Sequence, residues 1–148
     1  MNKLLFYYSL SGNGDLVASY LSEKGYEIRK IETVKKKPKK NFFNIFILGF
    51  KAGLRKCAKL NEYNKSIVSY DEIVIASPVW NSNFSTPINT ILKEIDFLNK
   101  KVTFVLYSAS GEAKGAIKRI YREFPASNTI ILKEPIENKK ELEKLGEL

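Results

Sequence analysis

The chain has no histidine among its 148 residues. That removes Ser/His/Asp and Cys/His nucleophilic machinery and leaves a zinc site without its commonest ligand. Cys57 is the single cysteine, so no internal disulfide and no CxxC pair can form, as expected in a reducing compartment. No Gly-Lys-Ser/Thr sequence is present, so any phosphate-holding turn is not a P-loop. The apolar run near the start, Leu4–Tyr8, is short and is followed by no small-residue cleavage site, which argues against a secretory leader. No apolar run approaches a membrane span. Repeats and linkers are also missing. These absences, with 44% hydrophobic and 28% charged residues, describe one soluble domain over residues 1–148, expected in the cytoplasm.

Acidic residues are missing from one segment. Between Val34 and Asn61 stand Lys35, Lys36, Lys37, Lys39, Lys40, Lys51, Arg55, Lys56 and Lys59, with no Asp or Glu. These are nine of the 25 basic residues, so the remainder is balanced at 16 against 16 and the net charge of +9 belongs to this segment.

What is present is an alternation of apolar runs and helical patterns. Strands are predicted at Lys3–Tyr8, Tyr26–Thr33, Glu72–Ala76, Val102–Tyr107 and Thr129–Leu132. Helices are predicted over Gly14–Lys24, Asn41–Leu60, Ser85–Leu98, Glu112–Phe124 and Asn138–Leu145, with Gly25 ending the first and an Asn138/Glu141 capping box opening the last. In the second helix, Phe43, Phe46, Ile47, Phe50, Leu54, Cys57 and Ala58 form the predicted core stripe. Phe42, Ile45 and Leu48 are then in excess of what one buried face absorbs. Gly49 and Gly53 allow either a close approach or a break. Strict alternation implies an α/β fold with a parallel sheet covered on both faces, and ligands in such folds bind beyond the C-terminal strand ends.

Three turns fall on that rim. The first, Ser9-Leu10-Ser11-Gly12-Asn13-Gly14, joins a strand to a helix N-terminus, where free N–H groups and the helix dipole suit a phosphate. The second, Ser77–Phe84, carries Pro78, Val79, Trp80, Asn81 and Phe84, and Trp80 could stack on a flat ring. The third is Ser108-Ala109-Ser110-Gly111.

Here the chain resembles the flavodoxin family over nearly its whole length. Ser9-x-Ser11-Gly12-Asn13 is similar to the family's FMN phosphate loop, Ser77-Pro78-Val79-Trp80 to its first isoalloxazine loop, and Tyr107–Gly111 falls at the second. The resemblance implies a doubly wound five-stranded parallel sheet, order 2-1-3-4-5, with helices on both faces, and an FMN-binding electron carrier. It implies phosphate contacts from the first turn, flavin contacts from Pro78, Val79, Trp80 and Asn81, and an opposite edge lined by Ser108, Ala109, Ser110 and Gly111. Gly14 stands where the family usually has Thr, and losing that hydroxyl is expected to cost about 1.5–3 kcal/mol of phosphate binding.

The alternatives are an NAD(P)H-dependent flavin or quinone oxidoreductase of the same fold, and a flavin-free binding module. The Lys35–Lys40 run is expected to meet an acidic redox partner, a second anionic substrate or a membrane surface reached through the second helix, or else to serve solubility alone. Nucleic acid is not expected. The positive field should make a bound flavin easier to reduce.

Overall fold

The computed structural model describes residues 1–35 and 41–148, the side chain of Phe42 excepted. Residues Lys36–Lys40, most of the predicted docking run, lie outside the described residues. The strands are β1 (Lys3–Tyr7), β2 (Tyr26–Lys30), β3 (Glu72–Trp80), β4 (Asn83–Phe84), β5 (Lys101–Ser108) and β6 (Asn128–Lys133). The α-helices are α1 (Asn13–Glu23), α2 (Phe42–Gly53), α3 (Thr86–Glu94) and α4 (Lys114–Glu123), and a 3-10 helix, η1, covers Lys139–Leu145. No described helix is long and apolar enough to cross a membrane.

The order β2-β1-β3-β5-β6 is parallel throughout, and β4 pairs antiparallel with the end of β3. With that short strand set aside, this is the predicted 2-1-3-4-5 arrangement. The central strands β1, β3 and β5 are near-continuous apolar runs because both of their faces are buried. Alternate residues divide between two cores. Leu4, Phe6, Ile73, Ile75 and Phe104 pack with Ile88 and Ile91 of α3 and Ile120 of α4. Leu5, Tyr7, Val74, Ala76 and Val105 pack with Val17 and Leu21 of α1 and Leu145 of η1.

Four local expectations are corrected. The second strand stops at Lys30, and Thr33 instead forms an isolated antiparallel bridge with Leu60. α2 ends at Gly53 and not at Leu60, because Arg55 takes a left-handed conformation (φ 54°) and the N–H groups of Arg55 and Lys56 close back on the carbonyls of Ala52 and Lys51. The third strand does not stop at Ala76 but runs to Trp80. The last helix is 3-10, and Asn138 makes no capping bond; the Glu141 carboxylate accepts from the Lys133 N–H at 2.8 Å and from Lys144 Nζ at 2.6 Å.

The largest correction concerns α2. Most of its predicted core stripe faces outward: Phe43, Phe46, Phe50 and Leu54 are all exposed, whereas Ile47 is half-buried. The packed face carries the small residues Gly49 and Ala52, both buried, beside half-buried Ile47 and Leu48. A Cβ on Gly49 would lie 3.2 Å from Asn81 Cβ, and one on Gly53 would lie 3.2 Å from Asn81 Nδ2. The two glycines therefore let the helix sit directly on the end of β3.

Candidate functional site

The C-terminal ends of β1, β3 and β5 share one rim, since Tyr7 is in register with Ala76 and Pro78 with Tyr107. Each is followed by one of the three turns singled out above.

The first turn is held together by Ser9. Its side chain is buried, and its Oγ accepts from the N–H of Gly12 at 3.1 Å and of Asp15 at 3.4 Å. Gly12 precedes α1 at φ 100°, a left-handed conformation natural to glycine. The N–H groups of Leu10, Ser11, Asn13 and Gly14 make no hydrogen bond among the described residues. Four unpartnered donors at the N-terminus of an eleven-residue helix form an anion cradle. Ser11 is exposed at its lip. Asn13 acts differently from expectation: its Oδ1 accepts from the Ile136 N–H at 3.0 Å and ties the β6–η1 connection to the turn.

Gly14 is a steric necessity. A Cβ there would lie 2.5 Å from Tyr107 Oη, 2.8 Å from the Tyr8 carbonyl oxygen and 2.9 Å from Ser9 Cβ. The Tyr107 hydroxyl, donating to the Tyr8 carbonyl, occupies the space a threonine side chain would need. Burial holds the Tyr107 hydroxyl well above its ordinary pKa, so it stays a neutral donor.

Asp15 brings a negative charge to the same helix turn. Lys30 Nζ pairs with it at 2.6 Å and Tyr7 Oη donates to it at 3.0 Å. Burial alone would raise the Asp15 carboxyl, but the hydrogen bonds from Lys30, Ser9 and Tyr7 outweigh it and hold the group below the usual range. Lys30 thus cancels a charge that would oppose an anion in the turn.

The second turn is a tight β-hairpin. Val79 pairs with Phe84 and Trp80 with Asn83, leaving Asn81 (φ 48°) and Ser82 (φ 62°) as a two-residue loop, the backbone pattern of a type I′ turn. Its base is pinned by Ser77 Oγ, which accepts from the Ser85 N–H at 3.1 Å. Its tip is pinned by the Ser82 carbonyl, which accepts from the Ala116 N–H of α4 at 2.8 Å. The hairpin holds Trp80 half-exposed, edge-on to Tyr8 with ring centroids 5.8 Å apart. Pro78 and Val79 are also half-buried, and Asn81 is exposed. Phe84 is not at the surface: it is 1% exposed and packs on Phe104, so it offers nothing to a ligand.

In the third turn Ala109 and Ser110 are exposed and Gly111 adopts φ 77°. Ser108 Oγ is buried with no hydrogen-bond partner. An orphaned buried hydroxyl at the end of β5 is a polar atom left for a ligand or an ordered water to satisfy.

Sequence reasoning missed a cavity of about 490 Å³ between the hairpin and α2. Tyr8, Trp80 and Pro87 line its inner wall, Ile47 and Leu48 its roof, and Lys35, Lys51 and Lys59 are the charged residues around it among the described residues. The excess of lysines in the sequence was a signal; their convergence on Trp80 needed the fold.

No protein-family model and no curated protein matches the chain. Solved structures do. A Lactobacillus acidophilus NCFM flavoprotein, crystallised in complex with FMN, is 24% identical, superposes with a TM-score of 0.72, and the match covers 94% of this chain and 97% of that one. A protein of Bacteroides eggerthii DSM 20697 gives a TM-score of 0.74 at 15% identity over 98% of each chain. The fold is flavodoxin-like. Oxidised Flavodoxin 1 of Bacillus cereus also matches, at 16% identity and a TM-score of 0.50 over 100% of this chain and 99% of that one. In the flavodoxin-like sheet seen here, the three turns occupy the rim where the strand order reverses between β1 and β3.

Proposed function

We propose that this protein binds FMN on the rim and transfers electrons through it to a partner protein. The observation that carries the reading is the set of four unpartnered N–H groups, from Leu10, Ser11, Asn13 and Gly14, at the α1 N-terminus. Lys30 supports it by neutralising Asp15 beneath the turn. Trp80 supplies a flat apolar wall, and the exposed Asn81, Ala109 and Ser110 offer backbone donors to the polar edge of a ring. The orphaned Ser108 hydroxyl fits a polar ligand at the third turn. The bound flavin would supply the redox chemistry; the chain supplies the anchorage, the apolar wall and the surrounding charge.

Titration of the flavin-free protein with FMN and with riboflavin tests this. If the cradle holds the phosphate, FMN binds at least a hundredfold more tightly than riboflavin. Equal affinities, or no binding of either, would overturn the reading; the latter would leave a flavin-free binding module.

The electron acceptor or donor is read as an acidic protein docking near Lys35–Lys40. Its binding should weaken steeply with salt. The cavity beside Trp80 favours a second reading, an oxidoreductase that takes NAD(P)H as co-substrate against Lys35, Lys51 and Lys59. Steady turnover with NADPH and an artificial acceptor would select it over the carrier.

A further inference from the structure

We infer that α2 is a membrane-seating helix that lays its outer face on an anionic bilayer surface. Phe43, Phe46, Phe50 and Leu54 are spaced three and four residues apart, form one stripe, and are 68%, 64%, 58% and 55% exposed. Of the other exposed large apolar residues, Val68 and Leu98 lie in separate loops and Tyr121 on α4. A stripe this apolar is not left to water without a partner.

Charge complementarity identifies the partner. Residues 34–61 hold nine cations and no acid. Lys35, Lys51, Lys56 and Lys59 have no acidic partner among the described residues, whereas Arg55 is paired with Glu123 at 3.1 Å. An exposed apolar stripe on a segment whose lysines are unpaired matches a leaflet of anionic headgroups over acyl chains. A second copy does not match, because it would bring two acid-free basic segments together. The helix has 12 residues, about 18 Å, which suits lying in the interface and not crossing it. Its inner face is fixed to the β3–β4 hairpin through Gly49 and Gly53. Seating α2 on a bilayer would therefore place the cavity and Trp80 immediately beneath the lipid surface.

The inference stands apart from flavin binding and is tested on FMN-loaded and FMN-free protein alike. The full chain is sedimented with vesicles of phosphatidylcholine alone and of phosphatidylcholine mixed equally with phosphatidylglycerol. Binding to the anionic vesicles should be at least tenfold stronger. The doubly substituted Phe46→Ser/Phe50→Ser protein should lose about tenfold or more in anionic-vesicle binding while keeping its thermal midpoint, since both side chains are exposed. Lys51→Glu/Lys56→Glu should lose about 25-fold or more, at roughly fivefold for each lysine removed and further for each acid introduced. No preference for anionic vesicles overturns the inference. So does unchanged binding by the phenylalanine variant, which would mean adsorption by charge alone. A lipid-free dimer abolished by the same Phe substitutions would assign the face to a second copy and overturn it as well.

Discussion

Gly14 decides how the first turn is built. The space above it is filled by Tyr107 Oη and the Tyr8 carbonyl, so a side chain at 14 must push against backbone. Gly14→Thr should lower stability by about 1–3 kcal/mol and should not raise FMN affinity, despite restoring a hydroxyl. Thermal unfolding with an FMN isotherm checks both halves. Ionisation gives two further expectations. Asp15 binds its proton less tightly in the fold than in the unfolded chain. Its stabilising contribution is therefore complete above about pH 4 and is lost as pH falls through its folded value. Denaturant midpoints measured down the acid range should fall for the native protein and fall less for Asp15→Asn. At the alkaline end the sign reverses. Burial first, then the neighbouring Asp15 and Glu72 carboxylates respectively, raise the Tyr7 and Tyr26 hydroxyls, and burial also raises Tyr8 and Tyr107. Their contribution is whole below about pH 10 and is lost as pH rises further. The tyrosinate absorbance of these four side chains should thus appear together with unfolding, in one cooperative step. The Gly14–Tyr107 packing was invisible in sequence because the partner of the Tyr107 hydroxyl lies 99 positions away.

Elements differ in how readily their sequence reveals them. The central strands are legible because burial on both faces demands near-continuous apolar runs such as Ile73–Ala76 and Val102–Tyr107. The Ser9–Gly14 turn is legible because its small polar residues sit between a strand and a helix. Periodicity finds α2 but not its inside. The aromatic side looks like core, whereas close seating on Asn81 requires the glycine side inward. The β3–β4 hairpin is concealed because Asn81-Ser82 lacks the glycine that usually marks a type I′ turn. Ser82, held at φ 62°, carries that cost. Ser82→Gly should stabilise the protein by about 0.5–1 kcal/mol, read as a rise in denaturant midpoint. The Asn138–Glu141 pattern misleads for another reason: Lys133 and Lys144 offer Glu141 stronger partners than a helix cap does.

Over the whole molecule, charge and ligand site meet at one edge. The acid-free segment brings Lys35, Lys51 and Lys59 around the cavity that Trp80 lines. Cations near a flavin favour its reduced, anionic form. Lys51→Gln/Lys59→Gln should therefore lower the midpoint potential of bound FMN by about 20–60 mV, given 59 mV per factor of ten for one electron. An unchanged midpoint in redox titration would place the ring outside their reach. The central question is whether the rim cradle holds a phosphate, and backbone amide NMR answers it residue by residue. Adding FMN to the flavin-free protein should shift the amides of Leu10, Ser11, Asn13 and Gly14 downfield together, along with the Trp80 indole. Riboflavin should leave the first four unmoved. If FMN binds and those four amides stay in place, the phosphate is held elsewhere and the assignment of this turn is wrong.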